Sequence, residues 1–150
     1  MTQEIRLGAA EVRSASDIQA AIDAATAGDT IQLAAGVHDV SATINVSKAV
    51  TIEGTGTATV QGTTSAARNV FKITASNVTL QNLGITLTSS YALGGEMEDC
   101  LIGVPDNAGL TGVVIKGNTI YWPAQAGAMS TWAGGITIGS AVIASTAVSY

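Results

Sequence analysis

The stretch Asn77-Val78-Thr79-Leu80-Gln81-Asn82-Leu83-Gly84-Ile85-Thr86-Leu87 reads as a short alternating strand, a polar corner at Gln81-Asn82 and a second alternating strand. The pattern returns along the chain. Val113, Ile115 and Ile120 repeat the spacing of Val78, Leu80 and Ile85 with Gly117-Asn118 at the corner, and Ile136, Ile138 and Ile143 repeat it with Gly139 there. Val50 and Ile52, followed by Glu53-Gly54, supply the first half of it earlier. From Val50 the pattern recurs after 28, 35 and 23 residues, as expected of one structural unit rewritten with connections of different length.

The strands bounded by these corners are short. Thr30-Ile31-Gln32-Leu33, Thr43-Ile44-Asn45-Val46, Val50 to Glu53, Thr57 to Gln61 and Val70-Phe71-Lys72-Ile73 all alternate, with Gly, Asn, Ser or Thr at nearly every junction. A chain that turns after each short strand is expected to form a parallel solenoid, not hairpins of long paired strands. In such a rod aliphatic positions stack from coil to coil. The expected columns are Val50/Val78/Val113/Ile136 and Ile52/Leu80/Ile115/Ile138, with Asn82 and Asn118 as candidate members of a corner ladder.

Upstream, Ser16-Asp17-Ile18-Gln19 has the form of a capping box, in which Ser16 and Gln19 exchange side-chain and backbone hydrogen bonds. A helix is expected from there, with Ile18, Ala21, Ile22 and Ala25 as its apolar stripe and Ala27-Gly28-Asp29 as its stop. Too short to be stable alone, it is expected to dock on the open end of the first coil.

The expected organisation is one all-β domain over residues 1–150, with an N-terminal arm over 1–13, a capping helix over 14–26, coils over 30–116, and a charge-free final coil and assembly segment over 117–150. The length suits one core. Charged residues make up only 11%, against about a quarter in ordinary domains, which suits a hydroxyl-rich rod or a subunit covered by neighbours. A formal charge of −5 argues against general nucleic-acid binding, which needs a basic stripe. The single cysteine, Cys100, has no partner for an internal disulfide and reads as a buried small hydrophobe. The N-terminus lacks a basic region followed by an apolar one, so no secretory signal is read there, and no stretch is apolar enough to span a bilayer.

The run Ser16 to Ala25, followed by Gly28-Asp29-Thr30-Ile31-Gln32-Leu33-Ala34-Ala35-Gly36-Val37-His38, resembles the entry to right-handed parallel β-helix proteins of the pectate-lyase-like superfamily. Ala49-Val50-Thr51-Ile52-Glu53-Gly54 and Asn77 to Leu83 resemble its next coils, so the likeness covers residues 14–90. The resemblance implies a short right-handed solenoid, here of about five coils with a helical cap. It implies no single activity, since the superfamily includes polysaccharide lyases, polygalacturonase-type hydrolases, adhesins and phage tailspikes.

Signatures of the enzymatic branches are absent. The chain has no paired-aspartate, Gly-His-Gly or Arg-x-Lys motif of the polygalacturonases and no Arg-x-Pro-x-x-Arg run of the pectate lyases. No cofactor is expected. The acidic residues Glu96, Glu98, Asp99 and Asp106, in the stretch from Gly94 to Gly109, are the candidate Ca²⁺ ligands, although their spacing matches no known calcium loop and a solvated loop is the plainer reading. His38 lacks an acidic partner in the sequence and reads as a packed, hydrogen-bonded residue, and Asp29 as a turn-forming one.

Tyr121, Trp122 and Trp132 could stack on sugar rings, but Trp and Tyr are also what subunit contacts favour. The charge-free segment ends in Ile136 to Ala144 with no cap after it, and a solenoid's open last coil needs one. Tyr121, Trp122, Trp132, Ile136, Ile138, Val142, Ile143 and Tyr150 are therefore the expected interface. The functional expectation is a non-enzymatic structural protein that assembles with itself, as a trimer by analogy with tailspikes, or docks on other proteins of a virion or surface structure. The alternative is a polysaccharide-binding or lyase-like β-helix acting on acidic glycans.

Overall fold

A computed structural model describes residues 4–7, 15–63, 69–88, 100–105, 109–121 and 134–138. Thirteen strands and one helix follow in the order β1 (Glu4–Leu7), α1 (Ala15–Ala24), β2 (Thr30–Leu33), β3 (Gly36–Val40), β4 (Ile44–Val46), β5 (Thr51–Gly54), β6 (Ala58–Gly62), β7 (Phe71–Ile73), β8 (Thr79–Gln81), β9 (Gly84–Leu87), β10 (Cys100–Val104), β11 (Val114–Lys116), β12 (Thr119–Ile120) and β13 (Gly134–Ile138), counted among the described residues.

Every strand pairing among the described residues is parallel. The strands fall into three sheets: A in the order β1-β2-β5-β8-β11, B in the order β3-β6-β9-β12, and C in the order β4-β7-β10-β13. From β2 onward the chain visits A, B and C in turn, then returns to A one strand further along. This path is consistent with a parallel β-solenoid, in which each strand's backbone groups are satisfied by the circuits before and after it.

Alternation sends one side chain of each pair inward. In sheet A, Ile31, Ile52, Leu80 and Ile115 are in register, spaced 21, 28 and 35 residues apart in the chain. In sheet C, Ile44, Phe71, Ile102 and Ile136 are in register. In sheet B the inward column is His38, Val60, Ile85 and Ile120. Burying one such aliphatic side chain contributes about 1.5–3 kcal/mol, so the stacked columns are the main source of stability.

The expected column Ile52/Leu80/Ile115 is present. Ile136 and Ile138, however, lie in sheet C against Ile102 and Val104 of β10, and do not continue the Val50/Val78/Val113 and Ile52/Leu80/Ile115 columns of sheet A. The alternation is the same on all three sheets, so spacing alone cannot tell which one a strand joins. The stretch from Gly94 to Gly109, expected as a loop, contains β10.

The connections explain the irregular intervals. Between sheets A and B the chain needs only two or three residues in every circuit, whereas the B-to-C connection lengthens from residues 41–43 to 63–70, 88–99 and 121–133. The short A-to-B corner of the later circuits is built on left-handed residues, Asn82 at φ 57° and Gly117 at φ 63°. Asn82 and Asn118 do not stack as equivalents. Asn118 lies one residue further on and clamps the corner below it, its Oδ1 accepting from Leu83 N–H at 3.0 Å and its Nδ2 donating to Leu80 O at 2.9 Å.

Threonine closes many strand ends. Thr55, Thr63, Thr74 and Thr88 each donate both the backbone N–H and the hydroxyl to the last carbonyl of the strand one circuit earlier, namely Leu33, Val40, Val46 and Gly62. Both lone pairs of a carbonyl that would otherwise be half satisfied are thereby used.

Helix α1 covers the N-terminal end of the rod against β3 and β4. Its buried side chains are Ile18, Ala21, Ile22 and Ala25, the stripe the sequence predicts. Gln19 does not close a capping box: its side chain goes to the backbone of Asn45, with Oε1 accepting from Asn45 N–H at 2.8 Å and Nε2 donating to Asn45 O at 3.1 Å. β1, in the stretch expected as an N-terminal arm, adds a strand to sheet A, with Ile5 in register with Ile31 and Leu7 with Leu33.

Candidate functional site

The rod presents three kinds of surface: the outer faces of its sheets, the end bearing α1, and the end bearing β11, β12 and β13. On the outer face of sheet A, Gln32, Glu53, Gln81 and Lys116 are in register. Glu53 accepts from Gln32 Nε2 at 2.7 Å on one carboxylate oxygen and from Gln81 Nε2 at 2.6 Å on the other. On sheet B, Asp39 likewise accepts from Gln61 Nε2 at 2.9 Å. The outward carboxylates of these faces thus serve as links between circuits.

The α1 end is closed by side chains. Gln19 occupies the backbone groups of Asn45 that a further strand of sheet C would use, and it also donates to Asp23 Oδ1 at 3.0 Å. Lys48 Nζ donates to Asp23 O and, at 2.8 Å, to Ala25 O, placing a cation on the terminal carbonyls of the helix. Asp29, buried at 1% exposure, stands where the following circuits carry Val50, Val78 and Val113. Its Oδ2 accepts from Thr26 N–H at 2.7 Å and from the Thr26 hydroxyl at 3.0 Å, tying the exit of the helix to the first strand of the circuit, the turn role the sequence suggests.

The described residues reach the opposite end in β11, β12 and β13, the last members of their sheets among those residues. Ile31, Ile52 and Leu80 are fully buried, but Ile115, next in their column, is only half-buried, as is Val113. Val114 is 41% exposed and Tyr121 44% exposed, in a protein that otherwise exposes few large apolar side chains among the described residues.

The expected interface residues are thus distributed as follows. Tyr121 is exposed beside this end, its N–H donating to Ile85 O at 3.1 Å. Ile136, on β13, is buried beside Ile102 of β10 and belongs to the core. Ile138 pairs with Val104 through the backbone. Trp122, Trp132, Val142, Ile143 and Tyr150 lie outside the described residues, as do the candidate calcium ligands Glu96, Glu98, Asp99 and Asp106.

Among the described residues no cluster of three or more His, Cys, Asp or Glu is placed to hold a metal ion. No described helix is long and apolar enough to cross a membrane. His38 is in the core at 1% exposure, with Nε2 donating to Ala34 O at 2.8 Å. A carbonyl only accepts, so Nε2 carries the proton and Nδ1 is left as a buried nitrogen with no partner among the described residues. Cys100 is buried as expected, its N–H donating to Asn69 Oδ1 at 3.3 Å.

Sequence reasoning missed β1, the Gln19–Asn45 contact and the Glu53 ladder. Only β1 has a local signal: Glu4-Ile5-Arg6-Leu7 has the same alternation as Thr30-Ile31-Gln32-Leu33. No protein family matches the chain, and neither does any curated protein or any solved structure.

Proposed function

We propose that the chain is a non-enzymatic structural protein, a short right-handed parallel β-helix of the pectate-lyase-like kind. In this reading its length is about five coils. It assembles with copies of itself or docks on a larger assembly, such as a phage virion, as a decoration, fibre or spike. The observation that carries this reading is the use made of outward polar side chains. Glu53 has both oxygens taken by Gln32 and Gln81, and Asp39 is held by Gln61, so these groups strengthen the rod along its axis and are not gathered in a cleft. A hydrolase of this fold would instead set free carboxylates on either side of a scissile bond.

Sedimentation of the full chain, together with cleavage assays on polygalacturonate and alginate with and without Ca²⁺, tests the proposal. The expected result is a self-associating or assembly-docking protein inert to both glycans. Calcium-dependent depolymerisation by a monomer would overturn it in favour of a lyase.

A further inference from the structure

His38 is the chain's single histidine and sits at 1% exposure on β3, the first described strand of sheet B. Its column continues with Val60, Ile85 and Ile120, all apolar and buried. An aliphatic side chain would complete that column, and the imidazole instead brings two ring nitrogens into it. Nε2 donates to Ala34 O at 2.8 Å, four residues back in the corner between β2 and β3. Nδ1 is buried with no partner. The ring held in this way is the neutral one, with its single proton on Nε2.

We propose that His38 is an acid-sensitive latch of the α1 end: a second proton, taken up at Nδ1, opens the circuit of β2 and β3 and releases α1 from it. The inference concerns this end of the rod alone and does not depend on how the protein assembles. Protonation turns Nδ1 from an acceptor into a donor and gives the ring a positive charge. In the closed circuit that N–H has no acceptor, and a buried charge without a partner is costly. The opened circuit gives the ring to water, where it takes the proton freely. The open form therefore holds the extra proton, and its share rises as pH falls.

Among the described residues no carboxylate stands ready to receive the second N–H. β6, packed beside β3, has no titratable side chain, and neither has β2. Asp39, next to His38 on β3, alternates to the outer face and accepts from Gln61 Nε2 at 2.9 Å. α1, packed over β3, carries Asp17 and Asp23, and both are exposed. Asp29, also buried, accepts from Thr26 through Oδ2, and Lys48 lies at the C-terminal end of the helix on the carbonyls of Asp23 and Ala25. Because α1 docks on β3 as well as β4, opening the first circuit loosens the helix too. Ile18 and Ile22 then lose their cover, and Asn45 its Gln19 clamp.

The test is hydrogen exchange of the full chain at about pH 7.5 and about pH 5.5, with rates referred to the unprotected chain at each pH. Protection in β3 and α1 is expected to fall by up to about tenfold per pH unit below about 6.5, where an imidazole in water takes up its proton, while β8 and β9 keep theirs. His38→Leu, and His38→Gln, which can still donate to Ala34 O, have no proton to gain there and are expected to change less than about twofold over the same range. Carboxylates titrate lower and are common to all three proteins. Since the chain has one histidine, its ring signal in nuclear magnetic resonance reports the proton directly. The ring is expected to charge only as protection in β3 is lost. A ring that charges while β3 stays protected, or an equal fall in the unsubstituted and substituted chains, overturns the proposal. The ring measurement needs no substitution, so it decides the matter even where both variants fail to fold.

Discussion

Gln19 of α1 treats Asn45 of β4 as a neighbouring strand would, accepting from its N–H at 2.8 Å and donating to its C=O at 3.1 Å across 26 residues of sequence. The carboxamide has one acceptor and one donor group at roughly the spacing of a backbone edge, so a single side chain can end sheet C without a further strand. Edge strands left open invite pairing with other chains. The same helix buries Ile18 and Ile22 over the ends of the columns, so closure of the core and closure of the edge come from two faces of one element.

Gln19→Ala is expected to cost about 0.5–1.5 kcal/mol, since two hydrogen bonds are lost but both lie near solvent, where water replaces them. Gln19→Glu is expected to cost at least as much, because a carboxylate can accept from Asn45 N–H but cannot donate to Asn45 O. Urea denaturation measures the first effect. Light scattering at high concentration measures the second consequence, faster aggregation of both variants than of Gln19→Arg, whose guanidinium can still donate to Asn45 O.

In the Glu53 ladder, charge and shape can be separated. Glu53→Gln keeps an acceptor for Gln32 and gains a donor for the Gln81 carbonyl, so an all-amide ladder can form, and the expected cost is below about 1 kcal/mol. Glu53→Ala leaves both glutamine amides without their shared acceptor, at a cost of about 1–3 kcal/mol. Equal losses in the two variants, measured by chemical denaturation, would mean that the carboxylate charge matters and the ladder geometry does not.

The threonine strand ends allow a cleaner substitution. Thr63 donates its N–H to Val40 O at 2.8 Å and its hydroxyl to the same oxygen at 3.1 Å. Thr63→Val is nearly isosteric and keeps the backbone bond, so the expected loss is about 0.5–1 kcal/mol. Thr63→Ser, which keeps the hydroxyl, is expected to recover most of it. If valine proves as stable as threonine in thermal melts, the paired donation is geometry without energy.

The legible part of this fold was what repeats locally. Ile52, Leu80 and Ile115 fall in one column because alternation with corners at Gly54, Asn82 and Gly117 is written in adjacent residues. The apolar stripe of α1 was visible for the same reason. What escaped depends on which circuit lies next to which. Gln19 matched a capping-box pattern locally, but its actual partner, Asn45, becomes a neighbour only when β4 is laid under the helix. Glu53 meets Gln32 and Gln81 at intervals of 21 and 28 residues, and unequal intervals hide the pairing. Ile136 shares the alternation of Val50, Val78 and Val113 but stacks in sheet C, because three sheets share one alternation. β10 was read as loop because Gly103 interrupts its apolar run and acidic residues flank it in the chain. Of the residues expected at an interface, Tyr121 is exposed and Ile136 is buried, and the burial of Ile136 follows from its partner Ile102, which lies far from it in the chain.

Two glycines separate crowding from backbone conformation. A Cβ on Gly54 would lie 2.2 Å from the backbone oxygen of Asn82, 3.0 Å from Ala58 Cβ and 3.1 Å from Leu83 Cδ2. The first of these is another circuit's main chain at a tight corner and cannot move without breaking the register of β5 on β8. Gly28, by contrast, has φ +96° and nothing within 4 Å of an added Cβ. Gly54→Ala is therefore expected to lose about 3 kcal/mol or more, above the usual overpacking cost, and to perturb the circuit formed by β8 and β9 as well as its own. Gly28→Ala should lose only about 1–2 kcal/mol from the left-handed backbone, offset slightly by the lower entropy of the unfolded chain. Hydrogen exchange distinguishes them further: the Gly54 variant should lose protection in β8, two sheets' worth of chain away in sequence, and the Gly28 variant only at the junction of α1 and β2. If Gly54→Ala were the milder of the two, the close approach of Asn82 O would not be limiting at this corner.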